Sequence, residues 1–286
     1  MIAEFLSYLF HALCCPRHIR EMGVLQELIA VESRADRLKS SWQEHLDLTR
    51  LTILEQAQNQ SNSRPNKLVI LGAGLLNDIP IKELSEIFKE VILVDLVFMQ
   101  STINQLKSFD NVAFVELDIT ANLKTLYQTV LDFKLNKNIP ELNTRINSII
   151  NYVPDFFISD SSVDMVISLN LLSQLPICIE QWISKQKIDY DFSGFYKSLI
   201  KNHLEYLRRL QANRKNIVLI SDTQKQILNK QNELLAYESS IQDLIVQDHF
   251  KGAELIKTWD WLLAPIGELD PDYQMKLQVS AYKGLA

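Results

Sequence analysis

The chain has 286 residues, long enough for one large α/β domain with an appendage or for two modest domains. Its 29 Lys and Arg against 35 Asp and Glu give a formal charge of -6, which disfavours a large nucleic-acid footprint, and 22% charged residues with only 7 Gly and 8 Pro exclude wholesale disorder. The 3 cysteines, Cys14, Cys15 and Cys178, make no Cys-x-x-Cys pair and no zinc-spaced cluster with histidine, so no metal site is expected and a reducing, cytoplasmic setting is.

Residues 1–16 read as a short helix whose polar stripe, Glu4, Ser7 and His11, is narrow. The run has no basic start and no small-residue cleavage site, and it is too short to span a bilayer, so it is not read as a signal peptide. Contact with a membrane surface, with a partner or a second copy in a homo-oligomer, or with the chain's own core stays open; the lack of Lys or Arg on the polar face weighs against the membrane.

From Arg17 to about Gln60 the pattern is helical, with Met22, Leu25, Leu28, Ile29, Leu38, Trp42, Leu46, Leu51 and Leu54 as apolar candidates. Arg34, Arg37, Trp42, His45 and Arg50 gather polar and aromatic groups within a few turns. They form either the solvated face of an ordinary amphipathic helix or a lid over a pocket. The polar stretch 56–66, which contains Pro65, is the best linker in the chain. It divides an N-terminal helical extension, 1–62, from a sheet-bearing domain, 63–286.

Residues 67–95 organise that domain. Leu68 to Leu71 is a continuous apolar run suited to a strand covered on both faces, and Gly72 and Gly74 allow a tight turn and close approach of a ligand. Asn77 or Asp78 can cap the next helix, Pro80 suits its first turn, and Ile81, Leu84, Ile87 and Phe88 follow at helical spacing. A second strand, Val91 to Asp95, ends in a carboxylate beside the glycine turn, where it can accept hydrogen bonds from two ribose hydroxyls. The glycines alone fit a plain strand-to-helix turn equally well; the acidic strand end points to a nucleotide-type ligand.

A short helix near 101–108 precedes a third strand from Val112 and an acidic turn at Asp118, which can meet an adenine amine or cap the next helix. Helical patterning runs to Leu135, and a partly helical insertion is expected near 136–160. Val163 to Asn170 reads as a fourth strand that delivers Asn170, Ser173 and Gln174 to the edge where open α/β sheets bind ligands. Residues 182–190 read as a connection. Gly194 to Gln211 is a helix flanked by His203, read as a boundary histidine and not a base. Ile217 to Asp222 is a fifth strand, and a long helical stretch is expected to about Gln247. Leu255 to Leu263 and the alternating Tyr273 to Tyr282 flank a short connection and read as an antiparallel pair. No phosphate loop, Gly-x-Ser-x-Gly or His-Glu-x-x-His motif occurs.

Five strands alternating with helices and a closing antiparallel pair, over roughly Lys67 to Lys283, resemble the class I S-adenosylmethionine-dependent methyltransferases. The resemblance implies a doubly wound, mostly parallel seven-stranded sheet with a C-terminal antiparallel hairpin, and S-adenosylmethionine as cofactor. It places Gly72, Ala73 and Gly74 at the methionine part, Asp95 and Leu96 at the ribose, Asp118 and Ile119 at the adenine, and Asn170 at the end of strand four. Two positions depart from the family pattern: Ile70 stands where an acidic residue is common, and Leu76 where a third glycine is. Strand four lacks the Asp or Asn, Pro, Pro, aromatic signature, which disfavours methylation of DNA amines. The acceptor is an unidentified small molecule or protein. His45, Asn170, Ser173 and Gln174 are the candidates for a base or orienting group, and Trp42, Trp259 and Trp261 for the pocket wall. A noncatalytic interaction protein on the same fold and a nicotinamide-dependent oxidoreductase are the alternatives, the latter preferring a glycine at Asn77.

Overall fold

Strand β1 (Lys67–Leu71) is apolar at four successive positions because both its faces are covered. Leu68 and Ile70 pack with Ile53, Ala57, Leu84 and Phe88 on one side of the sheet, while Val69 and Leu71 pack with Leu204, Leu207 and Leu210 on the other. The computed structural model describes residue 8 and residues 11–13, 15–60, 64–239 and 252–284.

β1 pairs in parallel with β2 (Glu90–Asp95) and with β4 (Val163–Leu169); β2 pairs in parallel with β3 (Val112–Glu116), and β4 with β5 (Asn216–Asn229). β8 (Tyr273–Lys283) lies antiparallel between β5 and β7 (Glu254–Ala264). The order is β3-β2-β1-β4-β5-β8-β7, with β6 (Leu234–Ser239) attached to β5 off this path. Helices α1 (Arg17–Glu21), α2 (Val24–Arg37) and α3 (Lys39–Gln58) precede the sheet. α4 (Ile81–Ile87) and α5 (Gln100–Leu106) connect the first strands, α6 (Leu123–Asn136) and α7 (Ile139–Ile150) follow β3, and α8 (Ile177–Gln186) and α9 (Ser193–Ala212) follow β4. The result is the doubly wound, mostly parallel sheet with a closing antiparallel hairpin that the sequence predicts.

Three local expectations are corrected. The sheet has 8 strands among the described residues and not seven. Where a long helix toward Gln247 is expected, β5 continues to Asn229 and returns as β6, in register from Gln224↔Ser239 to Leu228↔Leu234. Beyond Ile220, where β4 ends, β8 still offers β5 a full pairing edge, and tertiary pairing overrides the ambiguous local pattern. Turn chemistry assists, because the Asn229 side chain accepts from the N–H of Gln231 and of Glu233 at 2.9 Å each. The remainder of that expectation, from residue 240 on, lies outside the described residues. Second, most of the connection expected at 182–190 is the end of α8, which buries Ile179, Trp182 and Ile183. Third, α4 starts only at Ile81, and neither Asn77 nor Asp78 caps it.

Of the helix expected over 1–16, residues 1–7, 9, 10 and 14 lie outside the described residues. Tyr8, Ala12 and Cys15 pack against the core built by Ile19, Met22, Leu25 and α6, and His11 Nε2 accepts from the Gln100 N–H at 3.0 Å. The described part thus rests on the chain's own core. No helix among the described residues is long and apolar enough to cross a membrane.

α3 buries a face that composition disguises: Trp42, His45, Thr49, Thr52, Ile53 and Ala57. Thr49 and Thr52 donate their hydroxyls to the carbonyls of His45 and Leu48 at 2.8 Å each, so they bury as if apolar, whereas Leu51 is 46% exposed. His203 is also buried, not at a boundary. It shares a 2.9 Å hydrogen bond with the Ser168 hydroxyl, and burial pushes its pKa down to about 4, so it is a neutral core residue.

Candidate functional site

The carboxyl ends of β1, β2 and β4 open on a cavity of about 260 Å³. Its floor is the glycine turn. Gly72 (φ 82°) and Ala73 both donate to the Val94 carbonyl, at 2.9 and 3.1 Å, which ties the turn to the end of β2. A Cβ on Gly72 would stand 2.6 Å from the Leu169 carbonyl oxygen, so this glycine is required by contact with β4. Gly74 (φ 50°) has no atom within 4 Å of where a Cβ would lie, and it lines the cavity.

Asp95 joins the turn to the end of β2. Its carboxylate accepts from the N–H of Gly74 and of Leu96, at 2.7 Å each, and one lone pair on each oxygen remains for other donors. Burial raises its pKa, the two backbone N–H groups oppose that rise, and Glu116 adds to it. Leu76, where the resemblance leads one to expect a third glycine, takes φ 62° and is buried, so the turn keeps its left-handed step without glycine.

Asp118 resolves toward its capping alternative. Its carboxylate accepts from the Thr120 N–H at 2.9 Å, the Thr120 hydroxyl at 2.6 Å and the Leu123 N–H at 2.8 Å, closing the turn into α6. With Leu96, Ile119 and Thr120 it still borders the cavity.

At the end of β4 Asn170 is left-handed (φ 47°), as Asn tolerates, and its amide Nδ2 donates to Asp78 Oδ2 at 2.9 Å. Its Oδ1 is buried without a partner. Asp78, read from sequence only as a cap, is therefore a wall residue. Burial pushes its carboxyl up to about 6, against the lowering effect of its own backbone N–H, the Asn170 amide and the Arg50 charge. Arg50 itself donates to the Asn77 carbonyl.

The opposite wall comes from the N-terminal helices and β7: Met22, Leu28, Trp42, His45, Leu46 and Trp261. The charged side chains on the lining are Glu27, Asp78, Asp95 and Asp118, with no Lys or Arg among the described residues. Nor do three or more His, Cys, Asp or Glu side chains converge as a metal site among them.

No family model and no curated protein matches the chain. Solved structures do match over most of its length. The N-methyltransferase NodS of Bradyrhizobium japonicum WM9, in complex with S-adenosyl-L-homocysteine, aligns at a TM-score of 0.37 and 9% identity over 84% of this chain and 87% of its own. The 1,6-didemethyltoxoflavin-N1-methyltransferase of Burkholderia thailandensis aligns at 0.39 and 15% identity over 90% and 89%. The 23S rRNA methyltransferase ErmE aligns at 0.33 and 8% identity over 80% and 67%. At identities this low, roles for individual residues follow from their geometry in this chain.

The expected site residues Gly72, Ala73, Gly74, Asp95, Leu96, Asp118, Ile119, Asn170, Gln174 and His45 all border the one cavity. Ser173 does not: its hydroxyl donates to the Asp222 carboxylate instead. His45 cannot act as a base through Nδ1, because the Trp259 indole N–H donates to that nitrogen at 3.0 Å. Trp259 lies behind His45, and Trp42 and Trp261 reach the wall. Asp78 and Glu27, which the sequence reading did not place at a site, also line the cavity.

Proposed function

We propose that this chain is an S-adenosylmethionine-dependent methyltransferase acting on a small-molecule or protein acceptor. The observation that carries the reading is a cavity that joins a glycine turn and the strand-end carboxylate of Asp95 to three further carboxylates, with no Lys or Arg among the described lining residues. Such a lining suits a cofactor with a sulfonium and an ammonium group and opposes a dinucleotide pyrophosphate, which favours a methyl donor over NAD.

The residues present fit that cofactor. Asp95 has lone pairs free for ribose hydroxyls, and Leu96 and Ile119 offer apolar surface for the adenine ring. Asp78 and the unpartnered Asn170 Oδ1 suit the ammonium of the methionine part, replacing the acid that Ile70 does not supply. When bound, the cofactor would supply an electrophilic sulfonium methyl group for transfer to a lone pair of the acceptor. The chain's own contribution is to hold the acceptor in line and keep water out, which needs no dedicated base when the nucleophile is already reactive.

Calorimetric titration with S-adenosylmethionine, S-adenosylhomocysteine and NAD tests the reading. Binding of the first two with no heat from NAD is expected. NAD alone would install an oxidoreductase, and no binding at all would leave an interaction protein. Asp95→Ala should weaken S-adenosylmethionine by about 1 to 3 kcal/mol through loss of charge-assisted hydrogen bonds; unchanged affinity would show that the cofactor lies elsewhere.

A further inference from the structure

The wall made by α2, α3 and β7 has a hydrogen-bonding character that its composition hides. The His45 ring stacks on Trp261 with centroids 4.1 Å apart and an interplanar angle of 5°, and Trp42 meets Trp261 edge-on at 5.2 Å and 81°. Trp42 is fixed in turn by its indole N–H, which donates to the Leu263 carbonyl at 3.0 Å. An indole N–H can only donate, so the 3.0 Å bond from Trp259 Nε1 requires His45 Nδ1 to be unprotonated. The single proton of the neutral imidazole is therefore on Nε2. A second proton would set two N–H groups against each other, and burial agrees, pushing the His45 pKa down to about 3.

No described residue bonds His45 Nε2, which is not among the fully buried unpartnered atoms and belongs to a residue on the cavity lining, whereas Trp261 Nε1 is a buried N–H without a partner. A free donor at His45 Nε2 on a wall whose other members are Met22, Leu28, Val31 and Leu46 suits a hydrogen-bond acceptor arriving from the cavity. A cation cannot answer a donor. An anion is opposed by Glu27, Asp78, Asp95 and Asp118, with no Lys or Arg to offset them.

We infer that this wall is the methyl-acceptor subsite and takes an uncharged, largely apolar small molecule through one atom, a carbonyl oxygen or an aromatic ring nitrogen, that accepts a hydrogen bond from the His45 Nε2–H. The inference rests on the methyltransferase reading for its role, but not for its chemistry. A small molecule is favoured over a protein acceptor because the donors sit within the cavity wall and not on a rim.

Four probes of one shape test it on the full chain, by calorimetry or saturation-transfer NMR, with and without S-adenosylhomocysteine. Quinoline is uncharged and carries a ring nitrogen, naphthalene lacks one, 2-naphthoate is an anion and 2-naphthylmethylammonium a cation. Quinoline should bind about tenfold tighter than each of the others, the ratio given by roughly 1.4 kcal/mol from one satisfied donor. Spectra of protein labelled with nitrogen-15 at histidine should show the His45 proton on Nε2 at pH 7, with that resonance moving downfield on addition of quinoline and not of naphthalene. His45→Phe keeps a stacked ring and should erase quinoline's advantage over naphthalene. Tightest binding by either ion, quinoline no better than naphthalene, or an advantage that survives in folded His45→Phe would each overturn the inference. The wild-type probe order and spectra decide the matter even if that variant does not fold. Failure of the cofactor reading appears separately, as absence of heat from S-adenosylhomocysteine, while the probe order measured without it still tests the wall.

Discussion

Replacing Asp78 by Asn should make the protein more stable and its cofactor site weaker at once. The folded chain holds the Asp78 carboxyl at about 6 against an ordinary 3.8, mainly through burial. Ionising it at neutral pH therefore costs the folded state about 3 kcal/mol, at 1.36 kcal/mol for each pKa unit. The side chain keeps some contact with solvent, so about 1 to 2 kcal/mol is the expected gain on removing the charge. The asparagine oxygen can still accept from Asn170 Nδ2, and its new amide hydrogens can answer the unpartnered Asn170 Oδ1. The sign with pH follows from linkage: folded protein binds this proton up to a higher pH than the unfolded chain, so wild-type stability falls as pH rises from about 4 to about 6, and the penalty is fully present above that. Urea unfolding at pH 4.5, 6 and 7.5 should show the variant's advantage growing with pH at an unchanged m-value. In the same variant S-adenosylmethionine should bind about 1 to 3 kcal/mol more weakly at pH 7.5, because its ammonium loses an anion. A variant less stable than wild type at pH 7.5, or a stability gap that ignores pH, would refute the electrostatic account of this residue.

Gly72→Ala should cost at least about 2 kcal/mol in urea unfolding, since its Cβ would stand 2.6 Å from the Leu169 carbonyl at φ 82°. Gly74→Ala, at φ 50° with open space around it, should cost only about 1 kcal/mol, and equal losses would show that contact with β4 is not what fixes Gly72. Ser173→Ala should lower stability by about 1 kcal/mol, as Asp222 loses a donor, while leaving cofactor affinity within about twofold. A tenfold loss of affinity at unchanged stability would return Ser173 to the site.

What could be read from the chain alone was decided by burial on two sides. β1 and β2 hold continuous apolar runs because helices cover both faces, β4 is apolar but for Asp164 and Ser168, and the alternation of Tyr273 to Tyr282 marks β8, so the architecture is legible in local pattern. β6 was not, because β5 beyond Ile220 is held by partners distant in sequence and not by its own pattern. The strand ends announce the cavity floor through Gly72, Gly74 and Asp95, yet the state of each group depends on partners far away. Asp118 is tied into the turn by Thr120 and Leu123, Ser173 turns aside to Asp222, and the tautomer of His45 is set by Trp259, which is 214 residues distant. Thr49 and Thr52 mislead in another way, since a hydroxyl that bonds back along its own helix is polar in name and apolar in packing.

The place of β8 has a consequence for the order in which the site can be completed during synthesis. β7 carries Trp259 and Trp261, but it reaches the sheet only through β8, which leaves the ribosome after it and must insert between β7 and β5. The parallel strands that hold Gly72, Gly74 and Asp95 can pair as soon as Leu169 has emerged, so the cavity floor can form well before β7 has a strand to pair with. A nascent chain stopped short of Tyr273 would hold the floor with one side open to water. Closure of that side would then wait for the last pairing of the sheet, and any slowing of that pairing would delay the cavity wall without delaying the floor.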